Sequence, residues 1–515
     1  MAGISCLYFM NLSHGIPIAK LQLKNDDFFN IKNLVTNDAI AGGSYVTTSY
    51  TTRPLLAYTH DGGTTWNYPA SVISALPVDV SWLASFAGAT CSGVNCIAGG
   101  YYERLLPSNT VPVSYPLLSI SQNAGITWTY PSTITSSLPS NFRAGKFSST
   151  PWCSGSNCIV AGNYLSTSTP ALQTPLLASS HDAGLTWNYP STIISNLPSN
   201  FVGEGYFTAS TCNATNCYAV GQYQSIIGHN YYPLLSVSQD GGSTWTYPTT
   251  IQSNLPSNFD QAGIFNSISC SSTTCVAAGD FVISNPSAPH FPLLAVSQDN
   301  GSTWNYSPTI SITLPLDFIS DAFVKSVSCN VNNCITVGQY SSTKTGSLLY
   351  PLLLSSQDGG NTWSSPLTIV HNLPDDFEAT GAFNGALCNR NICIAVGTYQ
   401  SKSRNNQLMP LLASSTDGGT TWIYPPSVIA NLSTLPNNIL DGEFFNISCN
   451  ANDCTAEGQY QSKNLGVPFY PLIATSHDAG VTWTYPPTAV SNVPSDYFDH
   501  GVLSNGNSSH TLKKK

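Results

Sequence analysis

The strongest constraint in this sequence is a segment that occurs eight times. Pro54-Leu-Leu-Ala-Tyr-Thr-His-Asp61-Gly-Gly63-Thr-Thr-Trp66 recurs around Trp128, Trp187, Trp245, Trp304, Trp363, Trp422 and Trp483, at spacings of 58 to 62 residues; Trp82 and Trp152 lie outside the series. A period of this size marks a chain assembled from stacked supersecondary units. In one copy, Ile264 to Cys270 alternates like a strand and a short polar turn leads to a second, Cys275 to Phe281. After a variable loop Pro292 to Ser297 makes a third, and an Asp-Asn-Gly turn opens a fourth at Thr303 to Tyr306. Four short strands with turn residues at each junction read as one antiparallel sheet. Helical periodicity nowhere extends beyond about two turns.

A lone sheet of this kind leaves both apolar faces wet, whereas eight in series bury them against each other, in a ring or an open stack. The expected fold is all-β: a single eight-bladed β-propeller with four antiparallel strands per blade, over residues 28–506. Residues 1–27 are expected to contribute to ring closure and 507–515 to form a disordered tail. Residues 497–506 copy the start of an innermost strand and are expected to return to the first blade, beside Ile16 to Phe29. Two four-bladed rings, or an open stack, are the alternatives.

Composition narrows the function classes. Charged residues make up only 8% of the 515, with 26 acids against 16 bases, so the surface is built from Ser, Thr, Asn, Gln and Tyr. Hydrophobic residues at 42% and aromatics at 11% exclude a disordered chain. The acidic balance leaves no positive field for nucleic acid. No apolar run approaches the ~18 residues of a membrane span, so no membrane insertion is expected.

The octapeptide Ser297-Gln-Asp299-Asn-Gly301-Ser-Thr303-Trp304 resembles the Asp box of the sialidase-type (BNR-repeat) propellers, and the pattern is met around Asp61, Asp182, Asp240, Asp299, Asp358, Asp417 and Asp478. Thr59 replaces the first Ser, and Asn123 the Asp of the second copy. The carboxylate can accept backbone N–H bonds, Gly supplies positive φ and Trp buries its ring, so these acids are expected to be structural. The resemblance also implies that the box lies away from a catalytic face. Sialidases need three clamping arginines and an Arg-Ile-Pro motif. This chain has five arginines, Arg53, Arg104, Arg143, Arg390 and Arg404, none in that context, so the sialidase set is absent. No cofactor and no metal are expected.

Fifteen cysteines divide into Cys6 and seven Cys-x4-Cys pairs: Cys91/Cys96, Cys153/Cys158, Cys212/Cys217, Cys270/Cys275, Cys329/Cys334, Cys388/Cys393 and Cys449/Cys454. Each pair flanks the turn between strands one and two, where directly opposed residues bring Cβ atoms to about 4.5–5.5 Å, so disulfides are expected. A zinc reading lacks a second pair or a nearby His. Asn33 and Asp38 offer the equivalent spacing in the first copy. Seven disulfides imply an oxidising, extracellular-type compartment. The stretch Met1 to Met10 nonetheless lacks the basic start and cleavage site of a signal peptide.

Antiparallel connectivity sorts the connections onto two faces. The cysteine turns and Asp boxes share one; the two-to-three loops and the inter-blade links share the other. The two-to-three loops vary, as in Glu103 to Tyr115 and Gln400 to Met409, and a diversified loop face on a rigid scaffold is a recognition surface. Two candidate ligand sets lie there. Tyr115, Tyr232, Tyr350 and Tyr470 (with Phe291) precede the third strand and offer rings to stack on sugars, or else pack at strand starts. Arg143, Lys146, Glu204, Asp260, Asp321, Glu378, Asp441 and Glu443 enter the innermost strands and form an acidic funnel, or else spread as solvated charges. Glu457, in place of a small apolar residue, is expected to be partnered or edge-exposed. The leading functional reading is a secreted, non-enzymatic binding and adhesion module for glycans or a cell-surface protein. The alternatives are a glycoside hydrolase using paired carboxylates at the funnel, and a self-assembling surface subunit.

Overall fold

The computed structural model describes residues 38–499 apart from 106–111, 169–170, 227–229, 284–288, 308–313, 344–347, 436–438 and 464–468. All of these belong to one compact unit, residues 27–501. The expectations for residues 1–27, for 500–506, for the 507–515 tail, and for Cys6 and Asn33 lie outside the described residues.

The fold is mostly β and is built from one repeated antiparallel unit. In one copy strands Phe259–Ser271, Thr274–Ile283, His290–Ser297 and Asn305–Tyr306 pair consecutively. In the other copies the fourth strand shrinks to a single bridge, such as Tyr58↔Asn67 or Val237↔Thr246. The reason is a proline. Elsewhere Pro follows the repeat Trp at the third position, as in Trp245-Thr-Tyr-Pro248, and its missing N–H stops the ladder. After Trp304 the proline comes one residue later, and the Ser307 N–H still reaches the Leu294 carbonyl at 3.1 Å.

The turn before each tryptophan is closed by its own side chains. Asp299 accepts bonds from the Ser297 hydroxyl (2.8 Å), the Thr303 N–H (2.9 Å) and the Thr303 hydroxyl (2.7 Å). Gly301 sits at φ +81°, where a side chain is strained, and its carbonyl accepts from the Trp304 indole at 2.9 Å. Asp61, Asp182, Asp240, Asp358, Asp417 and Asp478 accept equivalent bonds.

The seven cysteine pairs are all disulfides: Cys91–Cys96, Cys153–Cys158, Cys212–Cys217, Cys270–Cys275, Cys329–Cys334, Cys388–Cys393 and Cys449–Cys454, each directly opposed in its hairpin with Cα atoms 4.0–4.1 Å apart. Their place in the fold differs from that of a surface staple beside a turn. Cys96, Cys158, Cys217, Cys275, Cys334, Cys393 and Cys454 are all at most 1% exposed. The physical reason is that the second cysteine lies on the second strand, which is paired on both sides; Cys96 stands between Cys91 and Ser121. These sulfurs belong to the packed core and offer nothing to a ligand. The first copy needs a correction as well. Ala39 stands opposite Thr59 as Cys454 stands opposite Ser476, so Ala39 and not Asp38 takes the place of the second cysteine.

Successive units are joined by one recurring contact. In the described copies the one-turn helix after the proline offers a hydroxyl to the N–H of the next repeat tryptophan: Thr250 to Trp304 at 3.0 Å, Thr368 to Trp422 at 3.1 Å, Ser427 to Trp483 at 2.9 Å. Thr488, in the last such helix, makes this bond at 3.0 Å to Trp66 of the first unit. Tyr68 adds a bond to the Ala489 carbonyl at 2.6 Å. The contact that links neighbours therefore also links last to first. The strand Tyr497–Asp499 pairs with Ala39–Thr47 on the side away from Thr52–Thr59 and so stands as the first strand of the first unit.

The first strands of the units carry a register shift around one residue, between Phe265 and Ser267 and likewise at Phe207/Ala209, Val324/Ser326 and Phe383/Gly385. The extra residue of such a bulge leaves the ladder and points sideways. Gly279 faces the bulge from the second strand, because any Cβ there would strike the Ile264 carbonyl.

Candidate functional site

Pairs such as Phe201↔Ser225 and Phe142↔Ser166 bring the start of a unit's first strand beside the end of its second strand. The inter-unit links and the two-to-three connections therefore share one rim, as the connectivity requires. The bulge residues form a belt of bonds from one unit to the next. Ser148 donates to the Phe207 carbonyl (2.9 Å), Thr208 to Phe265 (2.7 Å), Asn266 to Val324 (2.8 Å) and Asn384 to Phe444 (2.9 Å). Lys325 fills the same place with its ammonium on the Asn384 side-chain oxygen at 2.8 Å. Burial pushes Lys325 down to about 8, opposed by the charge of Glu443.

The acids expected at the funnel are mostly engaged. Glu204 accepts from the Tyr231 hydroxyl at 2.7 Å. Asp321, at φ +55°, accepts from the His290 N–H at 3.3 Å and from Ser320 at 3.1 Å. Asp441 accepts the Leu408 N–H of the preceding unit at 2.8 Å. Glu378 lies 3.5 Å from the exposed Lys402; at Asp260 it is the backbone carbonyl, not the carboxylate, that accepts from Asn230, at 2.7 Å. Glu443 is buried, with one oxygen bonded to Gln459 at 2.9 Å and the other unpartnered. Burial pushes its carboxyl up to about 6. On the basic side Arg143 is exposed, and the Lys146 ammonium stands 5.5 Å from the centre of the Tyr101 ring.

The four tyrosines lie in seams between units. Tyr115 contacts Tyr102 of its own unit (5.9 Å between ring centres) and Phe142 of the next (5.5 Å). Tyr232 does the same between Tyr223 and Phe259, Tyr350 between Tyr340 and Phe377, and Tyr470 between Tyr460 and Tyr497. Their rings act first as mortar between units.

Two features escaped the sequence reading. In four units the residue before the Phe that opens the first strand latches a tyrosine of the same unit: Tyr340 donates to Asp317 and Tyr399 to Asp376, both at 3.0 Å, Tyr164 to Asn141 at 3.1 Å and Tyr223 to Asn200 at 3.0 Å. The recurrence of Asn or Asp after Leu-Pro-x was the available signal. Buried Asp280 pairs with His290 at 2.9 Å, beside the belt residue Asn266 at 3.3 Å. Glu457 is neither partnered nor edge-exposed; it is wholly buried and both its oxygens lack partners. Among the described residues no group of three or more His, Cys, Asp or Glu could hold a metal ion. No helix there is long and apolar enough to cross a membrane.

The chain matches no protein-family model and no curated protein. Among solved structures it is similar to a Trypanosoma rangeli sialidase mutant displaying trans-sialidase activity, at 10% identity over 76% of this chain and 53% of that one (TM-score 0.34). It is also similar to an ancestral GH74 enzyme, at 10% identity over 89% and 62% (TM-score 0.38). The GH74 xyloglucanase from Xanthomonas campestris aligns at 12% identity over 87% and 76% (TM-score 0.24). The chain thus spans about half the length of the sialidase.

Proposed function

We propose that this chain is a single eight-bladed β-propeller, exported to an oxidising environment, that works as a binding module for glycans through its variable-loop rim. The cyclic contact from Thr488 back to Trp66 supports one ring, and seven disulfides support an oxidising compartment. The observation that carries the choice of binding over hydrolysis is the engagement of Glu204, Asp321 and Asp441 in bonds that hold the rim itself. Hydrolysis of a glycosidic bond needs two carboxyl groups about 5–5.5 Å or about 6.5–9.5 Å apart and free to reach substrate.

The hydrolase reading keeps one specific support, Glu443, whose carboxyl is held near 6 by burial and so suits a proton donor. A glycan array followed by product analysis distinguishes the two. Binding without release of new reducing ends supports the binding module. Turnover that disappears in Glu443→Gln makes the chain a hydrolase, and an array with no bound glycan refutes both readings.

A further inference from the structure

We propose that the rim sector formed by the first two units is a stacking platform for a neutral, β-linked oligosaccharide, with Trp82, Tyr50 and Phe498 as its rings. The inference rests on the glycan-binding reading above and assigns it a place and a ligand class.

Among the described residues these three are the large aromatic side chains left bare: Trp82 is 52% exposed, Tyr50 76% and Phe498 48%. The eight repeat tryptophans, by contrast, are buried. The backbone brings the three into one sector. Tyr50 sits in the turn between strands Ala39–Thr47 and Thr52–Thr59, and its ring meets Phe498 edge-on with centres 5.4 Å apart. Parallel pairing of Thr52 with Leu83 then sets the strand that carries Trp82 alongside that turn.

Each ring is held in place rather than left loose. Tyr50 has φ +60°, uncommon for a bulky residue. Its turn is fixed by hydroxyl bonds from Thr47 to Ser49 (2.9 Å) and to Thr51 (2.8 Å), and by the Tyr50 N–H on the Thr47 carbonyl (2.9 Å). The Thr48 N–H reaches the Asp496 carbonyl at 2.9 Å, tying the turn to the segment that leads into Phe498. The Trp82 indole donates to the Glu103 carboxylate at 2.8 Å, and Ser81 to the Glu103 carbonyl at 2.8 Å. Rigid, exposed rings give contact area at little entropic cost.

The surroundings select the occupant. From the usual area of an aromatic side chain, the bare surface amounts to roughly 300–400 Å². That is well short of the ~800 Å² per partner of a stable protein interface, and it fits two or three sugar rings. Sugars with equatorial hydroxyls present flat C–H faces to the negative face of an aromatic ring, and hydroxyls of Ser49 and Thr51 line the edge. Charge disfavours an acidic sugar. Asp79, Glu103 and Asp496 stand in this sector against Arg53 and Arg104, and Asp79 already holds Arg104 at 2.9 Å. The whole chain carries −10.

The test uses the full chain with two neutral probes, the β-1,4-linked hexasaccharides of glucose and of N-acetylglucosamine, and an oligogalacturonate as the acidic control. Trp82 is the exposed reporter among ten tryptophans, so binding of a neutral probe should protect fluorescence from iodide quenching. Trp82→Ala should weaken binding measured by calorimetry by about tenfold or more, the scale of losing one stacked ring. Tyr50→Gly should weaken binding similarly while relieving the positive φ, so its melting temperature should not fall. Wild-type affinity in both variants would overturn the platform and leave the glycan-binding reading standing. Preference for the acidic probe would overturn the ligand class, and no binding of any glycan by the wild-type chain would overturn the function as well.

Discussion

Glu457 stands directly across its strand pair from Asn446, and neither the Glu457 carboxyl oxygens nor the Asn446 amide nitrogen has a hydrogen-bond partner. At the equivalent place other units carry Val220, Val337 and Val396, each paired with a leucine as Glu457 is with Ile473. A buried carboxyl with no partner is held neutral, and burial raises the Glu457 pKa well above the usual glutamate value. Its ionisation opposes folding, so its contribution is present below the unfolded pKa and is lost as pH rises through the folded one. Glu457→Val should therefore stabilise the protein at pH 8 by about 1–3 kcal/mol. Thermal melts at pH 4 and pH 8 check this; an equal shift at both would show that ionisation of the carboxyl plays no part.

The acids of the tight turns run the opposite way. Burial would raise Asp417, but hydrogen bonds from the Thr421 hydroxyl and N–H outweigh it and hold the carboxyl at about 2. Asp61, Asp182, Asp240, Asp299, Asp358 and Asp478 are lowered by equivalent bonds. A lowered folded pKa contributes stability above the unfolded value of 3.8, which is lost as pH falls towards 2. Acid unfolding should steepen below about pH 4. Asp299→Asn should flatten that limb, as read by circular dichroism, while glycan binding at pH 7 stays unchanged.

Trp304 is fully buried and its indole is satisfied by Gly301. Trp304→Ala should cost about 3–5 kcal/mol through lost contacts and a cavity. Denaturant melts measure it, and a loss under about 1 kcal/mol would mean that the unit collapses to fill the space.

Replacing Cys270 and Cys275 together by Ser should cost about 2 kcal/mol, since the closed loop is very short. The fold should persist, because the first unit has Ala39 where the others have the second cysteine. Loss of all β signal in this variant at room temperature would contradict a merely supporting role.

Asp317 binds both the Tyr340 hydroxyl (3.0 Å) and the Ser342 hydroxyl (2.6 Å). Asp317→Ala should destabilise by about 1–3 kcal/mol by leaving these groups unpaired, as denaturant melts would read. Asp317→Asn should recover most of that loss, since Asn141 and Asn200 serve their tyrosines in the same way.

Residues close together in the chain were legible from the sequence. The eight tryptophans, the Ser-x-Asp-x-Gly-x-Thr turns, the opposed cysteines and the strand alternation are governed by bonds spanning five residues or fewer, or by a period of two. What lay between units was not legible. The pairing of Cys96, Cys158, Cys217, Cys334 and Cys393 could be read from spacing, but their complete burial comes from strands on either side and a neighbouring sheet. The belt from Ser148 to Asn384 depends on one-residue bulges that interrupt the period without announcing themselves. The seam role of Tyr115, Tyr232, Tyr350 and Tyr470 depends on a neighbour's Phe or Tyr, and the burial of Glu457 on a facing sheet. The acids Asp321 and Asp441 read as free charges in sequence because their partners, the His290 and Leu408 N–H groups, lie about thirty residues away. Trp82 and Tyr50 fall outside the repeat and carry no sequence signal of exposure. Local pattern determined the unit, and the packing of one unit on the next decided which of its polar and aromatic side chains remain free to meet a ligand.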